Sequence, residues 1–558
     1  MQPTPDRKAG ATTGARALVD ALLREGVDHV FGIPGTQNLA ILDALRETPQ
    51  IRFILTRHEQ GAAFMAYGFA RAAQRPGVVT ATEGPGVTNL ATGIGAAYRG
   101  MVPVISICGV QESAMRERDA TQDMDQVTFM RPITKWAYSI PNVQKVQESV
   151  RKAFRVALTE PQGPAHIEAA SEILLESCAS EATAPAAYRN TQLPSCTSAQ
   201  LDEVHALLAA AKRPVFVVGR GLISEAAGGA MAALATRSGI PVGALQYSPD
   251  AFASTHAFAL GPLGRNGSGA ANRILPQADL IIAIGAHFDV FSTQYKYGMF
   301  SKDAKIIHHS AAPGQIGIVF PVALGVTGST RSFIDGLAER VDRSGLNKAW
   351  VDVAGARAEW ETELHGVVRP DAEPIQAQFV AQVIRKVLPE NGLVVVDAGN
   401  GGKHVRSYFK SFEPGTFMCM DDWAAVGGSF PIALGAKLAR PDRPVLCASG
   451  DMGAMCNIGE LETAVRENIP VVYVVFNDQG LGNERAFQNE HYGGRFFAVD
   501  YNNPDFGALA RVFGAHGEHV TRPDELEPAL RRAFASGKPA IVDVMIDKNT
   551  LAPVVFRP

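Results

Sequence analysis

Short apolar stretches rich in valine and isoleucine alternate with longer stretches of helical period along most of the chain. Four apolar stretches near the amino end cover 26–35, 53–59, 77–86 and 102–109, and each ends in glycine or a polar residue. Between two of them lies "EQGAAFMAYGFARAAQ" (59–74), in which apolar residues recur with helical spacing. This alternation predicts parallel sheets joined by crossover helices, and therefore an α/β fold.

The same pattern divides the chain into three blocks. The small, polar and aperiodic stretch 179–199 separates the first block from the second and predicts a linker. The third block opens near residue 374 and ends with the predicted strand "PAIVDVMI" (539–546). The predicted boundaries of three doubly wound parallel-sheet domains are 12–178, 198–342 and 372–550.

The amino-acid composition and net charge indicate which classes of protein this chain can belong to. The chain has 558 residues, 46% of them hydrophobic and 19% charged, with a net charge of -4, which is typical of a globular protein. It carries no long basic run, so we expect no nucleic-acid partner. The polar amino terminus "MQPTPDRKAGATTG" lacks the apolar core of a signal peptide, and no apolar run approaches the ~18 residues that span a bilayer. We therefore expect a cytoplasmic protein without a membrane partner, whose six scattered cysteines are buried free thiols.

Two aspartates end successive predicted strands of the third block. Asp451 follows "RPVLCASG", and Asp478 follows "PVVYVVFN" 27 positions later. Because ligands of parallel sheets gather at the carboxyl ends of strands, we expect both side chains at one edge. Two carboxylates with a backbone carbonyl, water and phosphate oxygens form a shell suited to Mg²⁺. The alternative is that Asp451 only caps a helix and Asp478 only belongs to a turn.

The stretch from Gly450 to Gly480 resembles the thiamine-diphosphate motif, G-D-G followed by about 25 residues and N-N. This motif occurs in the acetohydroxyacid (acetolactate) synthase, pyruvate oxidase and benzoylformate decarboxylase group. The resemblance implies that Asp451, Asp478 and the carbonyl of Gly480 bind Mg²⁺. Asp478 replaces the second Asn of the motif and adds a negative charge beside the diphosphate. The further cofactor-binding residues that it implies in the third block are Asn400, Gly401, Gly402, Ala424, Val426, Met452, Gly453, Asn477, Leu481 and Gly482.

The first block carries matching motifs. "FGIPGTQN" (31–38) resembles the family's F-G-x-P-G, "EGPGVTN" (83–89) resembles G-P-G-A-T-N, and 121–138 resembles the synthase stretch with P-I-T-K. The resemblance implies that Glu59 is the catalytic carboxylate at N1′ of the cofactor, with Pro85 and Asn89 beside the pyrimidine. Taken alone, Glu59 could equally be a glutamate that interacts with a helix dipole. The substrate-pocket residues that we predict are Gly35, Thr36, Glu83, Gln122, Glu484 and His491.

The central block contains part of a dinucleotide-binding turn, "VVGRGLIS" (217–224). Several relatives bind FAD in this block. Here the stretch 308–317 lacks the synthases' D-I-D-P, and 285–293 lacks both arginines of G-A-R-F-D-D-R. We expect a spacer without flavin, FAD remaining the alternative, and we expect His308 and His309 to be core or surface residues.

The resemblance implies an enzyme that uses thiamine diphosphate and Mg²⁺ to decarboxylate a 2-oxo acid. We expect ligation of the acyl unit to a second carbonyl, as in acetolactate synthase. Simple decarboxylation and cleavage of an acyloin or diketone stay open. So does a sulfoacetaldehyde-acetyltransferase-like reaction, because the segment Gly482–Phe506 resembles that enzyme in "GxExxxQxxxYxxRF" and "NPxF". A catalytically silent regulatory subunit is the alternative from another class, and Glu59 together with Asp451 argues against it.

The resemblance also implies a homodimer or homotetramer in which two chains share each active site. The stretches 61–73 and 89–100 are small, apolar and nearly uncharged, which suits close packing between subunits. A core helix within one chain would have the same composition.

Overall fold

A computed structural model describes residues 12–179, 183–190, 192–420 and 422–555. Residues 1–11, which hold most of the polar amino terminus, and linker residues 180–182 and 191 lie outside the described residues. The described part contains three six-stranded sheets, in which every strand pair is parallel, and a two-stranded antiparallel ribbon formed by Thr12–Thr13 and Ser177–Cys178. The prediction of three parallel-sheet domains is confirmed.

The chain forms two compact units, and the first contains residues 12–179 and 183–190 together with 423–441 and 457–469. Its sheet has the strand order Arg52–Leu55, His29–Gly32, Gly77–Ala81, Val104–Val110, Ala165–Ala170 and Trp136–Ile140. Its helices are Gly14–Arg24, Leu39–Arg46, Glu59–Ala73, Pro85–Arg99, Gln126–Met130, Val146–Leu158, Ser171–Leu175, Ser429–Ala439 and Glu460–Arg466.

Helix Glu59–Ala73 is the centre of this unit. It packs against helices Pro85–Arg99 and Ser429–Ala439, and its residues from Gly61 to Ala70 are buried. A Cβ added to Gly68 would lie 2.0 Å from the carbonyl oxygen of Ile432, so small residues are what allow the helix backbones to approach. The apolar surface that could have served subunit packing is therefore covered within one chain.

The second unit holds the other two six-stranded sheets. The central sheet has the order Ala259–Pro262, Val242–Ala244, Pro214–Val218, Leu280–Ile284, Lys305–Ser310 and Leu324–Thr327. The last sheet has the order Phe417–Met418, Leu393–Val396, Val445–Gly450, Val471–Asn477, Ala540–Met545 and His516–Val520. The helices are Ser198–Ala210, Gly221–Ser224, Gly228–Ser238, Gly269–Ile274, Val290–Thr293, Thr330–Ser344, Val353–Gly366, Ala377–Val387, Asn400–Tyr408, Asp451–Cys456, Gly482–Tyr492, Phe506–Val512 and Pro523–Ala535.

The cysteines are free thiols, as predicted, but the expectation that all are buried is wrong. Cys456 is exposed and Cys178 is only half-buried, because each lies near the end of a short element rather than in a central strand. Within the described residues, no helix combines the length and apolar character needed to cross a membrane.

Candidate active site

Glu59 and Asn89, which the sequence motifs place far apart in the chain, meet in the first unit. Glu59 opens its helix four residues after the strand Arg52–Leu55 ends, and its side chain is half-buried. Its Oε2 accepts a hydrogen bond of 2.9 Å from Asn89 Nδ2. Asn89 lies on the helix that Pro85 begins, directly after Gly84 at a φ of +63°. This hydrogen bond fixes the side chains of the two predicted pyrimidine-site residues relative to each other.

Sequence reasoning missed Glu460, which holds the backbone directly before Glu59. Glu460 is buried, and its Oε1 accepts hydrogen bonds from the backbone N–H groups of Arg57 and His58 at 3.1 and 3.0 Å. Its Oε2 accepts from Thr463 at 2.7 Å. A Cβ on Gly61 would lie 2.2 Å from Oε1, so the carboxylate also occupies the space that this glycine leaves. The signal in the sequence was a glutamate in an otherwise core-forming stretch, but nothing local indicated its partner.

Glu83 is fully buried rather than exposed to an open pocket. Its Oε2 accepts a hydrogen bond of 2.8 Å from the backbone N–H of Gln111, while its Oε1 has no partner among the described residues. Burial raises the pKa of Glu83 to about 7. Next to it, Gln126 accepts from Gly84 N at 2.8 Å and donates to the buried Glu168 at 2.9 Å. This polar cluster supports the Gly84–Pro85 turn from inside, and the substrate role of Glu83 stays a prediction.

The other predicted pocket residues of the first block lie around the same turn. A Cβ on Gly35 would be 2.4 Å from Cβ of Thr82, so only glycine permits this approach. Thr36 follows and is exposed. Gln122 is exposed at a φ of +72°, and its carbonyl oxygen would be 2.6 Å from a Cβ on Gly84.

Ala424 and Val426 lie in the loop before helix Ser429–Ala439. Ala424 has a φ of +53°, and Val426 is 43% exposed. The loop is held by Asn457, whose Nδ2 donates to the carbonyl of Gly427 at 2.8 Å. The side chain of Val426 is thus solvent-exposed on a loop that is fixed by a hydrogen bond, which is consistent with the predicted contact to a cofactor ring.

In the second unit, Asp451 begins a helix directly at the end of strand Val445–Gly450 and is buried. Its Oδ1 accepts hydrogen bonds from Tyr501 Oη and from Met452 N, both at 2.7 Å. Its Oδ2 accepts from Asn503 Nδ2 at 2.7 Å and from Gly480 N at 3.3 Å. Tyr501 Oη also lies 3.0 Å from the carbonyl oxygen of Gly480, which is an alternative acceptor for its single proton. Two of the three predicted metal ligands are therefore joined through one hydroxyl.

Asp478 follows strand Val471–Asn477 and is half-buried. Burial and the nearby charge of Asp451 raise the pKa of Asp478 to about 7, and burial also raises the pKa of Asp451. Across the described part of the chain, neither carboxylate has an Arg, Lys or His nitrogen within 4.0 Å. Two neighbouring carboxylates with an adjacent carbonyl form an all-oxygen donor set, which fits Mg²⁺.

Asn477 and its neighbours form a further hydrogen-bonded chain behind this site. Asn477 Nδ2 donates to the buried Asp543 at 2.9 Å, and its Oδ1 accepts from Asn503 at 3.1 Å. Asp543 lies 2.9 Å from His519 Nδ1 and accepts from Phe506 N at 3.1 Å. The carboxylate of Asp543 thus sets the orientation of the Asn477 amide. Neither Asn503 nor Asp543 was predicted.

The glycines at the ends of strands Leu393–Val396 and Val445–Gly450, of which Gly402 and Gly453 were predicted to bind the cofactor, fall into two groups. Beside Gly399, whose φ is +107°, and beside Gly450, an added Cβ would meet nothing within 4 Å, so these backbones are open to a ligand. At Gly402 and Gly453 the Cβ would lie 2.1 Å from the carbonyl oxygen of Asp397 and 2.2 Å from its Oδ2. Packing against Asp397 therefore explains those two glycines.

The remaining predicted residues of the third block surround Asp478. Asn400 starts its helix and is held by Thr550 O and Ala552 N, each at 2.9 Å. A Cβ on Gly482 would lie 2.6 Å from Asp478 Oδ2. Gly401 lies beside the Phe476 ring and Leu481 is half-buried, whereas Glu484 and His491 are exposed on helix Gly482–Tyr492.

The central block packs its dinucleotide-like turn against its own backbone. A Cβ on Gly219 would lie 2.7 Å from the carbonyl oxygen of Gly285, so internal packing explains this glycine. His308 and His309 are buried, with Nε2 atoms 2.8 Å from Ala286 O and 3.0 Å from Gly328 O. They are core residues, as expected, and the absence of flavin stays a prediction.

Family models match all three blocks. The thiamine pyrophosphate enzyme N-terminal TPP binding domain matches residues 12–129, the central domain 201–337, and the C-terminal TPP binding domain 397–544. The probable acetolactate synthase large subunit of Methanocaldococcus jannaschii is 33% identical over 97% of this chain and 93% of its own length. The chain belongs to the thiamine-pyrophosphate enzyme family. It is a thiamine-pyrophosphate-dependent enzyme of the acetolactate-synthase-like, transferase or lyase type.

Other members of this family match over nearly the whole chain. The acetolactate synthase isozyme 2 large subunit of Escherichia coli is 30% identical over 96% of both chains. The sulfoacetaldehyde acetyltransferase of Alcaligenes xylosoxydans xylosoxydans is 31% identical over 96% of this chain and 93% of its own. The relatives of this chain in the thiamine-pyrophosphate enzyme family therefore differ in the reaction that their names give.

Proposed function

We propose that this enzyme uses thiamine diphosphate and Mg²⁺ to decarboxylate a 2-oxo acid and to ligate the remaining acyl unit to a second carbonyl. The observation that carries the proposal is the pair Asp451 and Asp478, two neighbouring carboxylates beside the carbonyl of Gly480 that form no ion pair with the described residues. Similarity to acetolactate synthases along 96–97% of the chain supports the same reaction class.

The chain's own residues supply binding and proton control. When bound, thiamine diphosphate supplies a thiazolium ring that accepts the electron pair left by the departing carboxylate group. Glu59 would hold a proton at N1′ of the aminopyrimidine through Oε1, because Asn89 already occupies Oε2. Asp451, Asp478 and Gly480 O would hold Mg²⁺, and Tyr501 with Asn503 would keep Asp451 in place.

The proposal includes the finer features predicted from the sequence. The domains extend over 12–178, 198–342 and 372–550, and the central one acts as a spacer without flavin. Gly35, Thr36, Glu83, Gln122, Glu484 and His491 contribute to the substrate pocket. The enzyme works in the cytoplasm as a homodimer or homotetramer.

A sulfoacetaldehyde-acetyltransferase-like reaction is the second candidate. It is favoured by helix Gly482–Tyr492 and the residues after it, which carry the pattern shared with that enzyme in the part of the chain beside Asp478. The 31% identity to the Alcaligenes enzyme supports this candidate as well.

Product analysis distinguishes the candidates. Purified enzyme loaded with thiamine diphosphate and Mg²⁺ is incubated with a panel of 2-oxo acids, with and without acceptor aldehydes, while CO₂ release and products are measured. We expect CO₂ release together with products that contain both carbonyl units. Free aldehyde as the product would instead indicate simple decarboxylation. Turnover of sulfoacetaldehyde without CO₂ release from any 2-oxo acid would favour the second candidate.

A further inference from the structure

Two helices of the second unit begin side by side at Asp478. Helix Asn400–Tyr408 starts at Asn400, and helix Gly482–Tyr492 starts at Gly482. A Cβ on Gly482 would lie 2.6 Å from Asp478 Oδ2 and 3.6 Å from Cβ of Asn400. Residues in the first turn of either helix are therefore close to the proposed metal and diphosphate site.

Two positively charged side chains contact the second of these helices. Lys403, in the first turn of helix Asn400–Tyr408, donates through Nζ to Asn483 Oδ1. Arg265 has its guanidinium carbon 5.5 Å from the ring centroid of Phe487. Both cations are half-buried, and the groups that they touch are a neutral amide and an aromatic ring.

Neither cation forms an ion pair with any residue that the structure describes. Over the residues that the structure describes, no carboxylate oxygen lies within 4.0 Å of Lys403 Nζ or of the Arg265 guanidinium. Burial, followed by the charges of Arg265 and Arg406, lowers the pKa of Lys403 to about 8, and Glu484 opposes this only weakly. Two nearby positive charges that are partly removed from water, without a counter-ion, raise the free energy of the folded protein. An anion that binds near both of them offsets this cost.

We propose that Lys403 and Arg265 bind the anionic group, a carboxylate or sulfonate, of the carbonyl substrate. The inference rests on the proposed function and identifies residues that select a charged substrate. An arginine fork and a lysine ammonium are the donors that such oxyanions take in proteins. Lys403 lies within a helical turn of Asn400, and Arg265 contacts Phe487 on the helix that Gly482 begins, so the anion would be anchored near the residues that we assign to the diphosphate.

Calorimetry of the holoenzyme with unreactive probes tests the assignment. Oxamate serves as the carboxylate probe, ethanesulfonate as the sulfonate probe and acetamide as the neutral control. We expect the wild-type enzyme to bind at least one of the two anions but not acetamide. Lys403→Met and Arg265→Met should each weaken that binding roughly tenfold or more, the usual value of a hydrogen bond to a charged group. Their affinity for thiamine diphosphate should be unchanged.

Lys386→Met is the matched control, because Lys386 is exposed and its ion pair with Glu527 lies away from this site. It should leave both affinities unchanged. Thermal unfolding identifies a variant that misfolds, and Lys403→Gln or Arg265→Gln then replaces it.

Three results would overturn the proposal. These are wild-type enzyme that binds neither anion, variants that bind both anions as well as wild type does, and variants that lose anion and thiamine-diphosphate affinity by the same factor. The last result would assign the cations to the cofactor's diphosphate. CO₂ release by wild-type enzyme reports separately on the proposed function, since it can be absent while the anion site stands.

Discussion

The carboxylate of Glu59 accepts one hydrogen bond, from Asn89, and an amide at position 59 retains the size of that side chain. We expect Glu59→Gln to keep the fold and the cofactor while turnover falls roughly 10²–10⁴-fold, because glutamine cannot exchange a proton at N1′. Steady-state kinetics and calorimetric titration of thiamine diphosphate measure the two effects separately. A variant with undiminished turnover would remove Glu59 from the mechanism.

Asp451 and Asp478 should respond differently to mutation. Asp451 is held by four donors, so Asp451→Ala should abolish binding of Mg²⁺ and with it thiamine diphosphate, as should EDTA. Asp478→Asn removes one of two adjacent carboxylates, so affinity for the anionic cofactor should hold or rise. Calorimetry with and without Mg²⁺ measures both affinities. Normal affinity in Asp451→Ala, or a large loss in Asp478→Asn, would contradict the assigned roles.

Because the carboxyl group of Glu83 is buried, we expect the stability of the folded protein to depend on pH. Its pKa is raised by burial to about 7, so the stability of its neutral form is fully present below the usual pKa of about 4.5 and is lost as pH rises through 7. Glu83→Gln stays neutral throughout. We expect equal thermal midpoints at pH 4 and a higher midpoint for the variant at pH 8, by roughly 2–4 °C for each kcal/mol in a domain of about 150–250 residues. If the thermal midpoints of Glu83→Gln and wild type differ by the same amount at both pH values, Glu83 does not titrate in this range.

At the scale of elements, the start of helix Glu59–Ala73 depends on a carboxylate from another helix. Glu460 accepts the backbone N–H groups of Arg57 and His58, which a helix start otherwise leaves unpaired. Glu460→Ala should destabilise the fold by up to about 1–3 kcal/mol for each of these two part-buried donors left unpaired. Glu460→Gln retains an acceptor and should lose less.

The effect of Glu460 on function should pass through the position of Glu59. We expect faster amide hydrogen exchange at residues 57–62 in Glu460→Ala, together with reduced turnover at full cofactor occupancy. Turnover should recover largely in Glu460→Gln. If Glu460→Ala loses turnover while amide hydrogen exchange at residues 57–62 is unchanged, Glu460 acts on the chemistry directly.

At the scale of the whole molecule, we predict that two chains share each site. Helix Glu59–Ala73 is buried within its own chain, so its apolar composition does not bear on assembly. Helix Gly482–Tyr492 has no buried residue, and Tyr492 and Phe497 nearby are 58% and 82% exposed. We predict that these exposed aromatic residues contact a second subunit.

Mixing inactive variants tests the sharing. Glu59→Gln and Asp451→Ala subunits are combined under conditions of proven exchange. If the pyrimidine and diphosphate sites of one cofactor come from different chains, each hybrid dimer contains one intact site in two, and activity should reappear. Mixtures that stay inactive after exchange would mean that each chain builds its own site.

The sequence by itself determined the features that depend on local patterns. Alternation of apolar strands and periodic helices predicted three parallel sheets, because both elements carry their burial pattern in consecutive residues. The residues after strand ends, Glu59, Asp451 and Asp478, were predictable because chain order alone places them at the carboxyl edge of a sheet. The cofactor family followed from the motif around Asp451 and Asp478.

Only the tertiary structure decided which distant groups support those residues. Glu460 reaches a backbone about 400 positions away, and Asp543 holds Asn477 from a strand 66 positions later. The inward direction of Glu83, the exposure of Cys456 and the environment of Lys403, which forms no ion pair with the described residues, also depend on neighbours from other elements. Burial and electrostatic environment are properties of packed surfaces, which bring together residues that share no pattern along the chain.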